Sequence, residues 1–221
     1  MENHNDFNLF YRNYLGINDK KIIHGITVCV SNNRDLPLNK KFYYKIIITE
    51  YNGEYVVSCS SEVEKNTIKN VCDFIKYKTM EDIIESKIHI ETYDSTCMYR
   101  MILNQKPNYS SLSELKIGKK LVSFKYIEEM KKFLALIGDT LIGYSKVSDV
   151  YYSYGNLVVW IEEEYRRNGV AEQLVKLTIE QCYKDGINPM YISKSNNIAS
   201  LSLAKKLKFN VVKKEVIYSS H

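Results

Sequence analysis

The first stretch of the chain carries apolar side chains at the spacing of a helix. They recur three and four residues apart, at Phe7, Phe10, Tyr11, Tyr14 and Leu15. This spacing predicts one buried helix face, with Asp6 as a candidate N-cap and Gly16 as a stop. An aromatic stripe of this period is more typical of a core than of a ligand site. The next apolar segment, residues 22–30, predicts a strand.

A β-hairpin is predicted next, because residues 42–50 and 54–60 are rich in β-branched and aromatic side chains. The two segments flank Asn52 and Gly53, the dipeptide best suited to a tight two-residue turn. Apolar spacing then predicts two short helices and a strand, at 68–75, 81–88 and 98–103.

A polar segment containing Pro107, residues 104–113, is the best linker candidate. We therefore expect two domains. Residues 1–110 would form an N-terminal α+β domain with the hairpin, and residues 111–221 a second domain. Residues 1–110 contain no recognisable chemical motif, so the first domain is interpreted as a packing or substrate-covering domain.

The C-terminal half begins with two apolar segments, 133–137 and 141–145, around a glycine-containing turn that predicts a strand pair. The continuous apolar run 157–161 is typical of a strand buried on both faces. A helical pattern follows and ends at residues 184–186, where a lysine in the last turn precedes a glycine.

The turn Arg166-Arg167-Asn168-Gly169-Val170-Ala171 joins this strand to this helix. The first N–H groups of a helix have no partner within it and point outward with the positive end of its dipole. Gly169 lets the backbone approach a bulky anion, and the two arginines add positive charge. An R-x-x-G-x-A string is a weak signal alone, but the order strand, turn, helix predicts a pyrophosphate site.

A second patterned block follows the helix. It predicts a short strand, a polar break with an asparagine cap, a helix and a final strand. These segments are residues 188–193, 196–200, 203–209 and 211–218.

Composition narrows the function classes. The net charge of +5 is spread over mixed lysines and glutamates, without the basic stripe expected of a nucleic-acid-binding protein. No apolar run approaches the roughly 20 residues that cross a bilayer, and the first residues do not resemble a signal peptide. Five cysteines without C-x-x-C spacing and four scattered histidines argue against disulfides and a metal site. We expect a soluble cytoplasmic protein.

The two blocks together resemble the GNAT acetyltransferase superfamily, and most closely the zwittermicin-resistance-type GNAT acetyltransferases. That subfamily carries an R-x-x-G-x-A turn, a G-x-x-P strand and an N-x-x-S-x-x-L-A-x-K-L-G-F segment. The resemblance covers roughly residues 133–218. The matching positions are Arg166, Gly169, Ala171, Gly186, Pro189, Asn197, Ser200, Leu203, Ala204, Lys206, Leu207 and Phe209.

The resemblance implies an α+β fold in which a splayed mixed sheet, flanked by helices, holds acetyl-coenzyme A between its fourth and fifth strands. The pyrophosphate is expected on the amides of the turn, and the pantetheine arm along the fourth strand. A backbone N–H there would hold the developing oxyanion. The implied coenzyme-binding residues are Val159, Trp160, Ile161, Arg166, Arg167, Asn168, Gly169, Val170, Ala171, Asn197 and Ser200; no metal is implied.

This sequence departs from the family at the positions whose side chains transfer protons in other members. The two acidic positions of the subfamily are Asn156 and Ile192 here, and the tyrosine that protonates the leaving thiolate in many members is Ala204. The glycine that precedes Phe209 in the subfamily is Lys208.

Other groups are therefore predicted to move protons. Glu162 and Tyr191 are the catalytic candidates, although a solvated acidic turn for Glu162 and a core or cleft-lining position for Tyr191 are the more ordinary interpretations. Further side chains that could reach the cleft are Tyr151, Tyr152, Tyr154 and Ser193.

The leading hypothesis is an N-acetyltransferase that transfers an acetyl group from acetyl-coenzyme A to an amine of a small molecule or peptide, by direct attack in a ternary complex. The alternative is a non-catalytic acyl-coenzyme A sensor or partner-binding module. A third is another acyl-coenzyme A reaction, whose acyl length Trp160 would restrict if it faced the cleft. The expected partners are acetyl-coenzyme A and an amine, without nucleic acid or membrane, for a monomer or homodimer.

Overall fold

The structure, a computed structural model, describes residues 2–17, 20–23, 25–37, 42–110 and 112–220. Its helices are α1 (Glu2–Leu15), α2 (Lys65–Ile75), α3 (Met80–Ser86), α4 (Val170–Lys184) and α5 (Ile198–Lys206). Its strands are β1 (Lys20–Ile23), β2 (Ile26–Val30), β3 (Tyr43–Tyr51), β4 (Glu54–Cys59), β5 (Asp94–Ile102), β6 (Glu114–Ile117), β7 (Lys120–Ile127), β8 (Lys132–Ile137), β9 (Thr140–Tyr151), β10 (Tyr154–Ile161), β11 (Asn188–Lys194) and β12 (Asn210–Ser220).

The chain divides into two compact units. The first comprises Met1–Arg100, Ser193–Asn196 and Val211–His221, and the second comprises Met101–Ile192 and Asn197–Asn210. Each unit combines strands with helices, which confirms the predicted α+β class. That residues 1–110 and 111–221 act as separate domains stays a prediction.

In the first unit the strand order is β1-β2-β4-β3-β12-β5. The predicted hairpin is confirmed: β3 and β4 are antiparallel, and Asn52 and Gly53 between them have φ angles of 52° and 80°. Its apolar face packs on α2 and α3 through Val71, Ile75 and Ile83, all fully buried.

Two sequence expectations for this unit are wrong in detail. The first helix begins at Glu2, so Asp6 lies inside it instead of capping it, whereas Gly16 follows its last residue as predicted. The segment predicted as one strand over 22–30 forms two antiparallel strands, β1 and β2. Apolar periodicity marks the buried face but does not detect a tight turn between two short strands.

A buried ion pair connects three elements of the first unit. Arg100 on β5 donates from Nε to Oε1 of Glu215 on β12 over 3.0 Å, and both side chains are almost fully buried. Tyr11 on α1 donates to the same Glu215 oxygen over 2.8 Å. Its hydroxyl also lies 3.0 Å from Oγ1 of Thr49. Burial raises the pKa of Tyr11 well above its usual value, so this hydroxyl stays a donor.

The second unit has the strand order β11-β10-β9-β8-β7-β6. Helix α4 packs across β8, β9 and β10, where Val170 and Leu174 are buried with Ile142 and Ile161. Thr178 donates to Oγ of Ser145 on β9 over 2.9 Å. This packing fixes the position of the first turn of α4 against the end of β10.

Candidate functional site

The sheet of the second unit opens between β10 and β11. These strands run parallel and pair only at Tyr154 with Asn188, Gly155 with Pro189, and Asn156 with Met190. Within the described residues the pairing stops there, although β10 continues to Ile161. The edge of β10 beyond Asn156 therefore presents backbone groups that can bind an extended ligand.

Side chains alternate between the two faces of β10 in this open region. Val159 and Ile161 pack into the core beneath α4. Trp160 lies on the opposite face, where it is 38% exposed and contacts Tyr144 with ring centroids 5.7 Å apart. The indole therefore packs along the sheet instead of pointing toward α4.

The turn after β10 has the geometry of an anion site. Gly169 is the N-cap of α4, with a φ of 81°, and Arg167 also has a positive φ, of 64°. The first intrahelical bond runs from the Gln173 N–H to the Gly169 carbonyl, so the N–H groups before it point out of the helix end. A 15-residue helix places the positive end of its dipole here.

Two polar contacts hold the turn in shape. Nε of Arg166 donates to the Ile161 carbonyl over 3.2 Å, and Nδ2 of Asn168 donates to the Arg166 carbonyl over 3.1 Å. A Cβ on Gly169 would have only Leu115 of β6 near it, at 3.9 Å. The space before the helix end is therefore open to a bulky group.

Lysines on α5, on β7 and on α4 itself lie near the same helix end. Lys206 on α5 and Lys176 on α4 both pair with Glu172 in the first turn of α4. Burial works against ionisation of Glu172, but hydrogen bonds from the two lysines outweigh it and lower its pKa. On β7, Lys120 donates to the Tyr165 hydroxyl over 3.2 Å. The turn therefore lies among cations that could contact phosphates, together with the carboxylates of Glu172 and of Glu162, Glu163 and Glu164.

Tyr191 and Ser200 meet at the start of α5. Asn197 caps this helix, as predicted, by accepting from the Ser200 N–H over 3.1 Å. The Ser200 hydroxyl donates to the Tyr191 hydroxyl over 3.1 Å. Tyr191 is buried against Phe209, and burial raises its pKa. A proton-transfer role for Tyr191 stays a prediction.

Glu162 lies at the other end of β10. It is exposed, and its backbone N–H donates to the Ile142 carbonyl over 2.9 Å. Six residues separate it from Asn156, which is about 20 Å along an extended strand. Glu162 is therefore beside the turn and far from the point where β10 and β11 part. Its catalytic role also stays a prediction.

Asn156 occupies that point of separation. Its Oδ1 is buried and has no hydrogen-bond partner among the described residues. A buried acceptor without a partner costs about 1–3 kcal/mol, so a native site with this feature needs an explanation. A donor group on a bound ligand would supply one.

A family model matches residues 97–209, just over half of the chain, and its description is acetyltransferase (GNAT) family. The chain belongs to the GNAT family. Acetyl transfer in general, with acetyl-coenzyme A as co-substrate, is the activity of this family. The turn from Arg166 to Ala171, the open strand edge and Asn156 all lie inside the matched segment.

Solved GNAT structures are similar at low identity. A GNAT-family acetyltransferase from Colwellia psychrerythraea is 10% identical, with 84% of each chain covered and a TM-score of 0.46. A GCN5-related N-acetyltransferase-like protein from Streptococcus suis is 14% identical, with 73% of this chain and 77% of that chain covered and a TM-score of 0.45. No curated protein matches the sequence.

Sequence reasoning missed the hairpin of β6 and β7 in this GNAT unit. It brings Leu115 next to Gly169 and Lys120 next to Tyr165. Alternating apolar residues around Gly118 would have indicated it. The orphaned oxygen of Asn156 could not be found from sequence, because it depends on what surrounds the side chain.

Other site types find little support in the described part of the chain. It contains no group of three or more histidine, cysteine, aspartate or glutamate side chains that could hold a metal ion. None of its helices is long and apolar enough to cross a membrane. All five cysteines are buried, and burial raises the pKa of Cys59 and of Cys182 to about 12, which keeps these thiols protonated.

Proposed function

We propose that this GNAT protein is an N-acetyltransferase that transfers an acetyl group from acetyl-coenzyme A to an amine of a small molecule or peptide. One observation carries the proposal. The open edge of β10 leads directly into the phosphate-binding turn, so one extended coenzyme can lie along both. The closer kinship to the zwittermicin-resistance-type enzymes rests on the motif match from Arg166 to Phe209 and is part of this proposal.

The residues present fit the coenzyme. The outward N–H groups of the turn would donate hydrogen bonds to the pyrophosphate oxygens, with Arg166 and Arg167 beside them. The backbone of Val159, Trp160 and Ile161 would pair with the pantetheine arm. Asn197 and Ser200 would line the other side of the arm. These assignments draw support from the positive φ of Gly169, which a ligand-approaching turn requires.

At the acyl carbon, the reaction forms one bond and breaks one. The amine nitrogen attacks the thioester carbonyl carbon, a C–N bond forms, the C–S bond breaks and the coenzyme leaves as a thiol. An N–H on the open edge of β10 would stabilise the negative charge that develops on the carbonyl oxygen. The proton lost by the amine balances the proton gained by the thiolate.

Asn156 would accept a hydrogen bond from the incoming amine, which would satisfy its buried Oδ1. An amide orients a neutral amine but cannot take its proton, unlike the carboxylate of the subfamily. Proton removal then falls to water, with Glu162 connected only through further waters, whereas Tyr191, whose pKa is raised by burial, would give a proton to the leaving thiolate. If either side chain acts, its conservative variant, Glu162→Gln or Tyr191→Phe, will change the shape of the pH–rate profile.

Thiol release with a panel of primary amines tests the proposal. We expect release that saturates with acetyl-coenzyme A and needs both substrates. Tight coenzyme binding without thiol release across the panel would contradict it. That result would favour the acyl-coenzyme A sensor, which the residues Asn156, Ile192 and Ala204 at proton-handling positions also favour.

A further inference from the structure

The turn between β9 and β10 uses residues that are unsuited to its backbone. Tyr152 and Ser153 form this two-residue turn with φ angles of 46° and 60°, and Asp149 has a φ of 52° where the register shifts opposite Gly155. Such turns favour asparagine and glycine, as at Asn52 and Gly53 in the first hairpin. Backbone strain that persists is often found at functional sites.

The same turn exposes three consecutive apolar side chains. We call these residues, Val150, Tyr151 and Tyr152, the aromatic tip. Their exposed fractions are 50%, 44% and 47%, respectively. The two tyrosine rings meet edge to face, with centroids 4.5 Å apart and planes at 84°. Single exposed apolar residues are ordinary, but a preorganised ring pair on a strained turn presents a surface for another flat group.

The aromatic tip lies at the paired end of β10, and the three residue pairs that join β10 to β11 separate it from the opening beyond Asn156. The Asn188 N–H on β11 donates to the Ser153 carbonyl over 2.7 Å, and Tyr154 pairs with Asn188. Asn156 follows two residues later. The phosphate-binding turn is at the opposite end of β10, eight residues or about 26 Å away. A coenzyme that enters at the turn leaves the tip end for the acceptor.

We infer that the aromatic tip binds the body of the acceptor, and that the acceptor is a primary amine attached to an apolar, ring-bearing group. This inference rests on the proposed function. The ring of the acceptor stacks on Tyr151 and Tyr152 while its amine reaches Asn156. A polycationic acceptor would need several carboxylates here, and Asp149 is the only one among residues 148–154.

The substitution Tyr152→Asn tests this inference, because asparagine tolerates a positive φ but cannot stack. We expect a higher thermal midpoint together with a loss of about 3- to 10-fold in kcat/KM for 2-phenylethylamine, the effect of one aromatic contact. For 2-methoxyethylamine, which has no ring, we expect no change in kcat/KM. A tyrosine with only a structural role would show the stabilisation alone.

Lys131→Asn is the matched control, because Lys131 has the same φ of 46° at a turn before β8. It should raise the midpoint without changing either kcat/KM value. Tyr151→Ser removes the other ring without altering the turn and should repeat the loss for 2-phenylethylamine.

Two outcomes separate this inference from the proposed function. If the unsubstituted protein releases thiol but does not prefer 2-phenylethylamine, or if both tyrosine variants keep the preference, the aromatic tip is not an acceptor site. If the unsubstituted protein releases no thiol with either amine while binding acetyl-coenzyme A, the proposed function fails and this inference fails with it.

Discussion

Different residue types adopt the left-handed backbone conformation at the two ends of β10. At the turn from Arg166 to Ala171, Gly169 adopts it without steric cost. At the aromatic tip, Tyr152 and Ser153 adopt it with Cβ atoms that crowd the following carbonyl. The first arrangement keeps the backbone open to a ligand, and the second displays side chains to one.

The substitution Gly169→Ala should weaken acetyl-coenzyme A binding by about 10-fold or more. Alanine disfavours the positive φ, so the turn shifts and two or three N–H groups lose their charge-assisted hydrogen bonds to the pyrophosphate, worth roughly 1.5–3 kcal/mol. It should also cost about 1 kcal/mol of stability, because alanine is strained at a φ of 81°. Isothermal titration with acetyl-coenzyme A and urea unfolding measure the two effects.

Gly138→Ala is the control for this substitution. Gly138 lies between β8 and β9 with a φ of 57° and open space around its Cβ position. It should lose a similar amount of stability and keep full coenzyme affinity. Equal affinity losses in the two variants would show that Gly169 acts only through stability.

Lys208→Gly should stabilise the protein by about 0.5–1 kcal/mol. Lys208 has a φ of 64°, and its side chain is exposed. Relief of the left-handed strain exceeds the extra entropy that glycine gives the unfolded chain. Urea unfolding checks this, with Lys208→Ala, which keeps the Cβ, expected to show no gain.

At the scale of elements, the buried ion pair between β5 and β12 should dominate the stability of the first unit. Glu215→Gln leaves the Arg100 guanidinium buried without its carboxylate, which costs about 3–5 kcal/mol. The measurement is the urea midpoint. Glu62→Gln, which breaks the ion pair of Lys45 with a largely exposed Glu62, should change the midpoint far less.

Elements with a long apolar period or a strong turn signal could be predicted from the sequence. The hairpin at Asn52 and Gly53, helix α4 and the cap at Asn197 are confirmed. The break between β1 and β2 was missed because short strands leave too few residues to establish a period, whereas the hairpin of β6 and β7 was missed although its alternating apolar residues around Gly118 carry the signal.

The candidate site could also be predicted from the sequence only in part. The turn from Arg166 to Ala171 was predictable, because local backbone geometry and helix dipole follow from neighbouring residues. The sequence singled out Tyr151 and Tyr152 as side chains that could reach the cleft. It did not reveal their left-handed turn or the buried oxygen of Asn156, because strain and hydrogen-bond satisfaction depend on tertiary surroundings.

At the scale of the whole molecule, buried titrating groups predict a loss of stability in alkali. Burial raises the pKa of Cys59, Cys182 and Tyr218 to about 12, above the values of roughly 9–10 in an unfolded chain. The folded state therefore binds more protons between those values. Stability should be full below about pH 9 and fall as the pH rises toward 12, by up to about 1.4 kcal/mol per pH unit per group.

Urea midpoints at pH 8 and pH 10.5 measure this fall. Cys182→Ala removes one of the titrating groups, so its midpoint should decline less steeply, whatever its starting stability. An unchanged slope would show that this thiol ionises as easily in the folded state as in the unfolded chain.

The place of β12 links the order of synthesis to folding. This strand pairs with β3, yet the ribosome makes it only after residues 97–209, the segment that the GNAT model matches. Until then, β3 has an open edge beside the buried run Ile46, Ile47 and Ile48. A nascent chain that stalls before residue 210 would keep this unpaired edge exposed to chaperones and proteases, so completion of the first sheet reports that the segment matched by the GNAT model has been translated.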